Sequence, residues 1–232
     1  MIGHSTMLVE VEGMRVIVDP FFAPSLMSIS RRTVPPSLTA EQAAQRCDLV
    51  LVTHNHPDHC DPAFFDALPA ETPVLVPDGF RFLGRYEPPQ RITPLAEWAS
   101  EHFDGLEVTC TPAAHPGVAC GFVLAGDGRS LYLAGDTNPA PFFASVRDRL
   151  APQTAALPLK NFRLGPGMTA ATIGDAVTAL GVSRVIGIHV HLVMKSRLLS
   201  IGNPESPTRE ALSAVHPDVE FVIPAPGDVL SV

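Results

Sequence analysis

Four side chains able to bind a metal fall within six residues of one another: His54, His56, Asp58 and His59, in the run Thr53-His54-Asn55-His56-Pro57-Asp58-His59. Neutral imidazole nitrogens and carboxylate oxygens are the usual ligands of zinc and other first-row divalent ions. An extended segment sends residues i and i+2 to one side, so His54 and His56 can grip one ion together. The turn that follows can send Asp58 and His59 toward a second. A solvated loop with chance histidines is the competing explanation, but ligand sets this closely spaced seldom arise without a metal.

Two ions need further ligands from elsewhere in the chain, and three candidates stand where strands are expected to end. His115 closes Thr111-Pro112-Ala113-Ala114-His115, Asp136 lies in Ala134-Gly135-Asp136-Thr137, and His189 ends Val185-Ile186-Gly187-Ile188-His189. Taken singly, each also fits a hydrogen-bonded loop residue. His191 would share a face with His189 if its strand continued, so it competes for the last ligand position or contacts substrate.

The elements that must position these groups are legible in the apolar pattern. Residues 7–11 and 14–18 read as a hairpin about Glu12-Gly13. Residues 20–36, with Phe21, Phe22, two arginines and several prolines, lack periodicity and read as an ordered functional loop. Thr39 and Gln42 can form a capping box for a helix through Cys47. Residues 48–53 form an apolar run that delivers the chain directly to the histidine cluster. Asp61-Pro62 supplies an N-cap and a first-turn proline for a helix carrying Phe64, Phe65 and Leu68. Strands are expected at 73–76, 106–111, 120–125 and 130–134, with Asp127-Gly128 as a hairpin turn. Asn138-Pro139 should open another helix, followed by a short strand at 154–158. A helix at about 169–180 should stop at Gly181 before a strand at 184–189. Ser206-Pro207 should open the last helix, and residues 219–223 the last strand. Runs of strands broken by helices predict two sheets covered by helices, in one domain spanning 1–232.

Composition narrows the functional classes. A chain of 232 residues with 46% hydrophobic and 17% charged residues can bury one sizeable core, unlike a disordered chain. Its net charge of -8 argues against nucleic acid as a partner, since that binding draws on lysine and arginine. No apolar stretch is long enough to span a membrane and no signal-peptide pattern precedes the first strand, so a cytoplasmic location is expected. Cys47, Cys60, Cys110 and Cys120 show no CxxC pairing and read as free, packed thiols.

In order and spacing, the HxHxDH run, PAxH with His115, GDT with Asp136 and the strand ending in His189 resemble the metallo-β-lactamase superfamily across most of the chain. Gly3-His4-Ser5-Thr6 and Val18-Asp19-Pro20-Phe21 further resemble the branch containing ascorbate-6-phosphate lactonases and N-acyl phosphatidylethanolamine phospholipase D. The resemblance implies an α/β fold, a four-layer αββα sandwich with a dinuclear site at one edge. It implies that His54, His56 and His115 hold one ion, that Asp58, His59 and His189 hold the other, and that Asp136 bridges them. It also implies two divalent ions, zinc first with manganese or iron compatible, and a hydroxide between them that cleaves a small ester, lactone or phosphodiester. Asp58 would orient that nucleophile or relay its proton.

On this pattern His4 reads as a hydrogen-bonding residue behind the ligands, and Asp19 as the group that orients a cluster histidine. Gly187 stands where relatives often have proline. Lys160, Arg163, Lys195 and Arg197 are candidates for an anionic substrate group, and the paired phenylalanines at 21–22, 64–65 and 142–143 for apolar pocket walls or plain core. A metal-binding regulatory module without catalysis and a nuclease of the same superfamily are the alternatives. The nuclease fits poorly with the chain's length and acidity.

Overall fold

The first strands, β1 (Met7–Val11) and β2 (Met14–Val18), pair antiparallel from Met7 against Val18 to Val11 against Met14. Their two-residue turn has φ of 50° at Glu12 and 77° at Gly13, the left-handed pair that matches strand twist in tight hairpins. The structure, a computed structural model, describes residues 1–84, 86–160, 167–196, 198–199 and 204–231.

After the short strand β3 (Ser30–Arg32) comes α1 (Ala40–Ala44), opened by the Thr39/Gln42 capping box. It ends sooner than the sequence reading, which carried it to Cys47. Next are β4 (Leu49–Leu51), α2 (Pro62–Ala67) with Asp61 as its N-cap, β5 (Val74–Pro77), β6 (Ile92–Leu95) and β7 (Ser100–Phe103). The chain continues through β8 (Leu106–Pro112), β9 (Cys120–Gly126), β10 (Arg129–Leu133), α3 (Phe142–Leu150), β11 (Thr154–Pro158) and α4 (Ala170–Leu180). It closes with β12 (Arg184–Ile188), β13 (Leu192–Met194), α5 (Glu205–Val215) and β14 (Glu220–Val222).

These strands form a five-stranded sheet in the order β1-β2-β4-β5-β6 and a seven-stranded sheet in the order β14-β12-β11-β10-β9-β8-β7. Between the sheets lie Val16, Val18, Leu49, Leu51 and Leu75 from one side and Val108, Phe122, Leu131, Leu133 and Ile186 from the other. The alternate residues of the same strands face the helices. Val50, Val52 and Val74 pack with Ala43, Phe64 and Phe65 of α1 and α2. Tyr132, Ala155, Leu157 and Val185 pack with Phe143, Val146, Ile173, Val177 and Leu212 of α3, α4 and α5. Burial on both faces is why residues 48–53 carry no polar alternation. The result is an αββα sandwich. No helix among the described residues is long and apolar enough to cross a membrane.

Several expectations are corrected. The strands β6 and β7 were not anticipated: both end their sheets, carry half-exposed polar residues, and β6 contains Pro94, which is tolerated only where no ladder bond is needed. The 20–36 loop holds β3, which pairs antiparallel with β13 to form a separate two-stranded sheet. Asn138-Pro139 does not open α3. That helix begins at Phe142, and the Asn138 amide instead donates to the Ala114 carbonyl at 3.1 Å. Ser206-Pro207 lies inside the first turn of α5, which starts at Glu205. The strand expected through His189 stops at Ile188. At Gly187 an added Cβ would stand 2.8 Å from Ile223 and 2.9 Å from Leu159, so helix-side packing leaves no room for a larger residue.

Candidate metal centre

The chain leaves β4 at Leu51 and reaches the cluster through Thr53, whose backbone and hydroxyl are both claimed by Asp19. Thr53 N donates to Asp19 Oδ1 at 2.7 Å, and its hydroxyl donates to Oδ2 at 2.8 Å. That hydroxyl oxygen also lies 3.0 Å from His54 Nδ1, and Asp19 Oδ2 lies 2.9 Å from His59 Nδ1. One carboxylate therefore steers the rings of His59 and, through Thr53, of His54. It leaves the Nε2 atoms of both histidines buried without a hydrogen-bond partner. Thr53 escaped the sequence reading, although a hydroxyl at the strand end immediately before a ligand run is a usable signal.

The distal residues arrive from the second sheet. The loops after β8 and β10 are clipped together, with Ala114 N donating to Thr137 Oγ1 at 2.8 Å, and they bring His115 and Asp136 beside the cluster. Gly135, at φ 59°, lets this loop approach Thr53: an added Cβ would stand 2.9 Å from its side chain. His115 Nδ1 lies 2.8 Å from the Pro116 carbonyl, and its Nε2 is buried and unpartnered. Asp136 reaches both halves of the site, at 3.3 Å from His59 Nε2, 3.2 Å from His189 Nε2 and 3.9 Å from His54 Nε2.

Among the described residues, potential ligand atoms converge in two groups, each with every atom within 4.8 Å of the others. The outer group is His54, His56, His115 and Asp136, with His56 exposed and His115 half-buried. The inner group is His4, Asp58, His59 and His189, all buried. His4, expected behind the ligands, has its ring among these donor atoms: its Nε2 is 3.3 Å from Asp58 Oδ2, and its ring centroid is 4.5 Å from that of His189. His191 joins neither group. After Ile188 the backbone turns through positive φ at both His189 (62°) and His191 (66°), so no shared strand face exists. Half-buried His191 lies near Arg32 instead, whose buried guanidinium donates to the Ala23 and Phe21 carbonyls.

Of the remaining candidates, Lys160 lies just past the end of β11, which pairs with β12, the strand leading to His189, while exposed Lys195 is tied by its backbone to Ile29. Arg163 and Arg197 lie outside the described residues. Phe21 packs edge-on to His4 at 5.9 Å, whereas Phe64, Phe65 and Phe143 belong to the helix-side cores. All four cysteines are free and buried.

The charges are strongly coupled. Burial opposes ionisation of Asp136, but His189 and His59 outweigh it and hold the carboxyl well below the ordinary range. Asp58 is depressed in the same way by His189 and His4. Burial disfavours charge on His189 too, yet the Asp136 and Asp58 carboxylates raise it to about 9. His59 is likewise raised against burial, by Asp136 and Asp19. Burial, reinforced by the charge of His59, pushes His54 down, and burial with His189 pushes His4 to about 4.

Two expectations follow for the isolated protein. A raised histidine adds stability that is complete below its ordinary value near 6.5 and disappears as pH climbs through its folded value. The ion-free protein should therefore lose stability between pH 6.5 and about 9 through His189. Ion binding at pH 7.5 should release protons, read as a buffer-dependent heat in titration calorimetry. A flat stability profile and buffer-independent heats would contradict this. Separately, Asp19→Asn sets an amide against the His59 and Thr53 donors and should weaken ion binding by roughly 10–100-fold with the fold retained. Unaltered affinity in competition with a chromogenic chelator would count against that role.

Orphaned imidazole nitrogens and two carboxylates converging at one end of an αββα sandwich define a metal-dependent hydrolase of the metallo-β-lactamase type. The chain belongs to the family described as the beta-lactamase superfamily domain, whose model matches residues 14–190. A protein from Opitutus terrae named as a UPF0173 metal-dependent hydrolase is 30% identical, with 99% of this chain and 97% of that one covered. Among solved structures, a possible metal-dependent hydrolase from Veillonella parvula superposes with a TM-score of 0.78 at 18% identity, covering 99% and 97% of the two chains. The isothiocyanate hydrolase from Delia radicum gut bacteria superposes at 0.77 with 21% identity and the same coverage.

Proposed function

We propose that the protein hydrolyses a small ester, lactone or phosphodiester with the help of two divalent ions, zinc being the first choice and manganese or iron also compatible. His54, His56 and His115 would hold one ion, Asp58, His59 and His189 the other, and Asp136 would serve both. The observation that carries this reading is the buried, unpartnered Nε2 of His54, His59 and His115, which face a common space with two carboxylates. Buried polar atoms left without partners are costly, and divalent cations satisfy this donor set.

Bound there, the ions would supply a nucleophile from water near neutral pH and polarise the carbonyl or phosphoryl oxygen under attack. The chain's own residues do the rest. Asp58, kept ionised, would orient the attacking water and accept its proton. Asp19 and Thr53 keep the ligand rings in a single tautomer. His191 and Lys160 would contact an anionic group of the substrate, a role the sequence also offered to Arg163.

A metal-binding module without catalysis is the second reading. A purely structural site is usually closed by protein ligands. Exposed His56 and half-buried His115 leave the outer group open to a small molecule, which favours the enzyme. The test pairs metal analysis of freshly purified protein with a hydrolysis screen over lactones, esters, phosphodiesters and isothiocyanates, before and after chelation. Activity lost on chelation and restored by added metal is expected. Chelated protein retaining full activity against every productive substrate would sink the proposal.

A further inference from the structure

We propose that His4 binds the inner ion directly through Nε2, beside Asp58, His59 and His189 and with Asp136 still shared; this rests on the two-ion reading above. His4 Nδ1 lies 2.8 Å from the Val190 carbonyl, which can only accept, so Nδ1 carries a proton and in the neutral ring Nε2 keeps its lone pair. The same division of roles occurs at three other histidines of the site. Nδ1 meets Thr53 Oγ1 at His54 (3.0 Å), Asp19 Oδ2 at His59 (2.9 Å) and the Pro116 carbonyl at His115 (2.8 Å). A histidine that donates one ring N–H to an oxygen and points the other nitrogen into a cluster of donors has the arrangement of a metal ligand.

His4 Nε2 stands 3.3 Å from Asp58 Oδ2, with the His4 side chain fully buried and that of Asp58 7% exposed. A lone pair and a carboxylate at that separation repel unless a proton or a cation lies between them. The spacing suits a cation: His4 Nε2 and His189 Nε2 lie 3.3 and 3.7 Å from Asp58 Oδ2. Ligands about 2.0–2.2 Å from an ion and about 109–120° apart are separated by about 3.3–3.8 Å.

The backbone is built to hold this position. His4 sits at φ 61°, a left-handed conformation that non-glycine residues rarely adopt and that surrounding structure must enforce. Gly3 and Thr6 bridge around it, Thr6 Oγ1 donates to the Asp19 carbonyl, and His189 N donates to the His4 carbonyl at 3.2 Å. The turn is therefore tied both to the residue that orients His59 and to the backbone of another inner ligand.

The deciding measurement is a crystal structure of the full chain grown with zinc chloride, with anomalous differences collected at the zinc edge. An inner ion about 2.0–2.1 Å from His4 Nε2 is expected. An inner ion with His4 Nε2 beyond about 3 Å, or an ion in the outer group alone, overturns the assignment but leaves a metal enzyme in place. Zinc in neither group overturns the two-ion reading as well. A second measurement uses His4→Asn, whose amide can still donate to Val190 but does not reach the ion. Inner-ion affinity should fall by more than about 100-fold, beyond the ~10–100-fold that loss of an outer contact typically produces. A smaller change would place His4 outside the coordination sphere.

Discussion

Asp136→Asn is expected to reduce kcat/KM by about 10³-fold or more without unfolding the protein. Its carboxylate lies 3.2–3.9 Å from His54, His59 and His189 and so spans the outer and inner groups. Asparagine preserves shape but removes the charge that two dications would share, and it aims an amide donor at the ring nitrogens proposed to hold them. Polarisation and nucleophile generation by bound metal amount to several kcal/mol, and each ~1.4 kcal/mol is tenfold in rate, which sets the scale of the loss. Metal content should fall in parallel, and a circular dichroism spectrum matching the parent would show that the fold survives. A variant that keeps both ions and acts within tenfold of the parent would show that Asp136 is not the shared ligand.

Removal of the ions should lower the melting temperature by roughly 8–16 °C per site. Saturation at a thousand times Kd contributes about 4 kcal/mol, and a chain of this size shifts ~2–4 °C per kcal/mol. The physical source is the inner group, where His4, Asp58, His59 and His189 are all buried and the carboxylate of Asp58 is balanced chiefly by histidines. Scanning calorimetry of the chelated and reloaded protein measures the shift, and coincident transitions would contradict it. Acidification should have a related effect. The depressed Asp58 and Asp136 contribute stability that is present above the ordinary carboxylate range and is lost as pH falls through their folded values.

Much of the frame was legible because it depends on local signals. The capping box at Thr39, the Asp61-Pro62 start of α2, the turn at Asp127-Gly128 and the stop of α4 at Gly181 are each set by residues within one turn of the feature. The apolar run at 48–53 marked a strand buried on both faces. Less was legible where local and distant demands compete. Asn138 has the residue type of a helix cap, yet its amide is spent on Ala114, 24 residues away, and α3 starts later. The strands β6 and β7 close their sheets at the edge and so lack the apolar pattern that identifies inner strands.

The candidate site divides along the same line. The sequence by itself determined the dense ligand run at 54–59, the donor types at 115, 136 and 189, and the two-sheet sandwich able to bring them to one edge. Tertiary structure decided what no spacing could: that β12 ends at Ile188 and leaves His191 outside both donor groups, and that the Gly3-Thr6 turn carries His4 against Asp58, 54 residues distant. Chain geometry over a few residues is restricted by sterics and can be read from spacing. Contacts between distant segments depend on which strands lie side by side and how their ends turn, and these are settled only when both sheets pack on a common core.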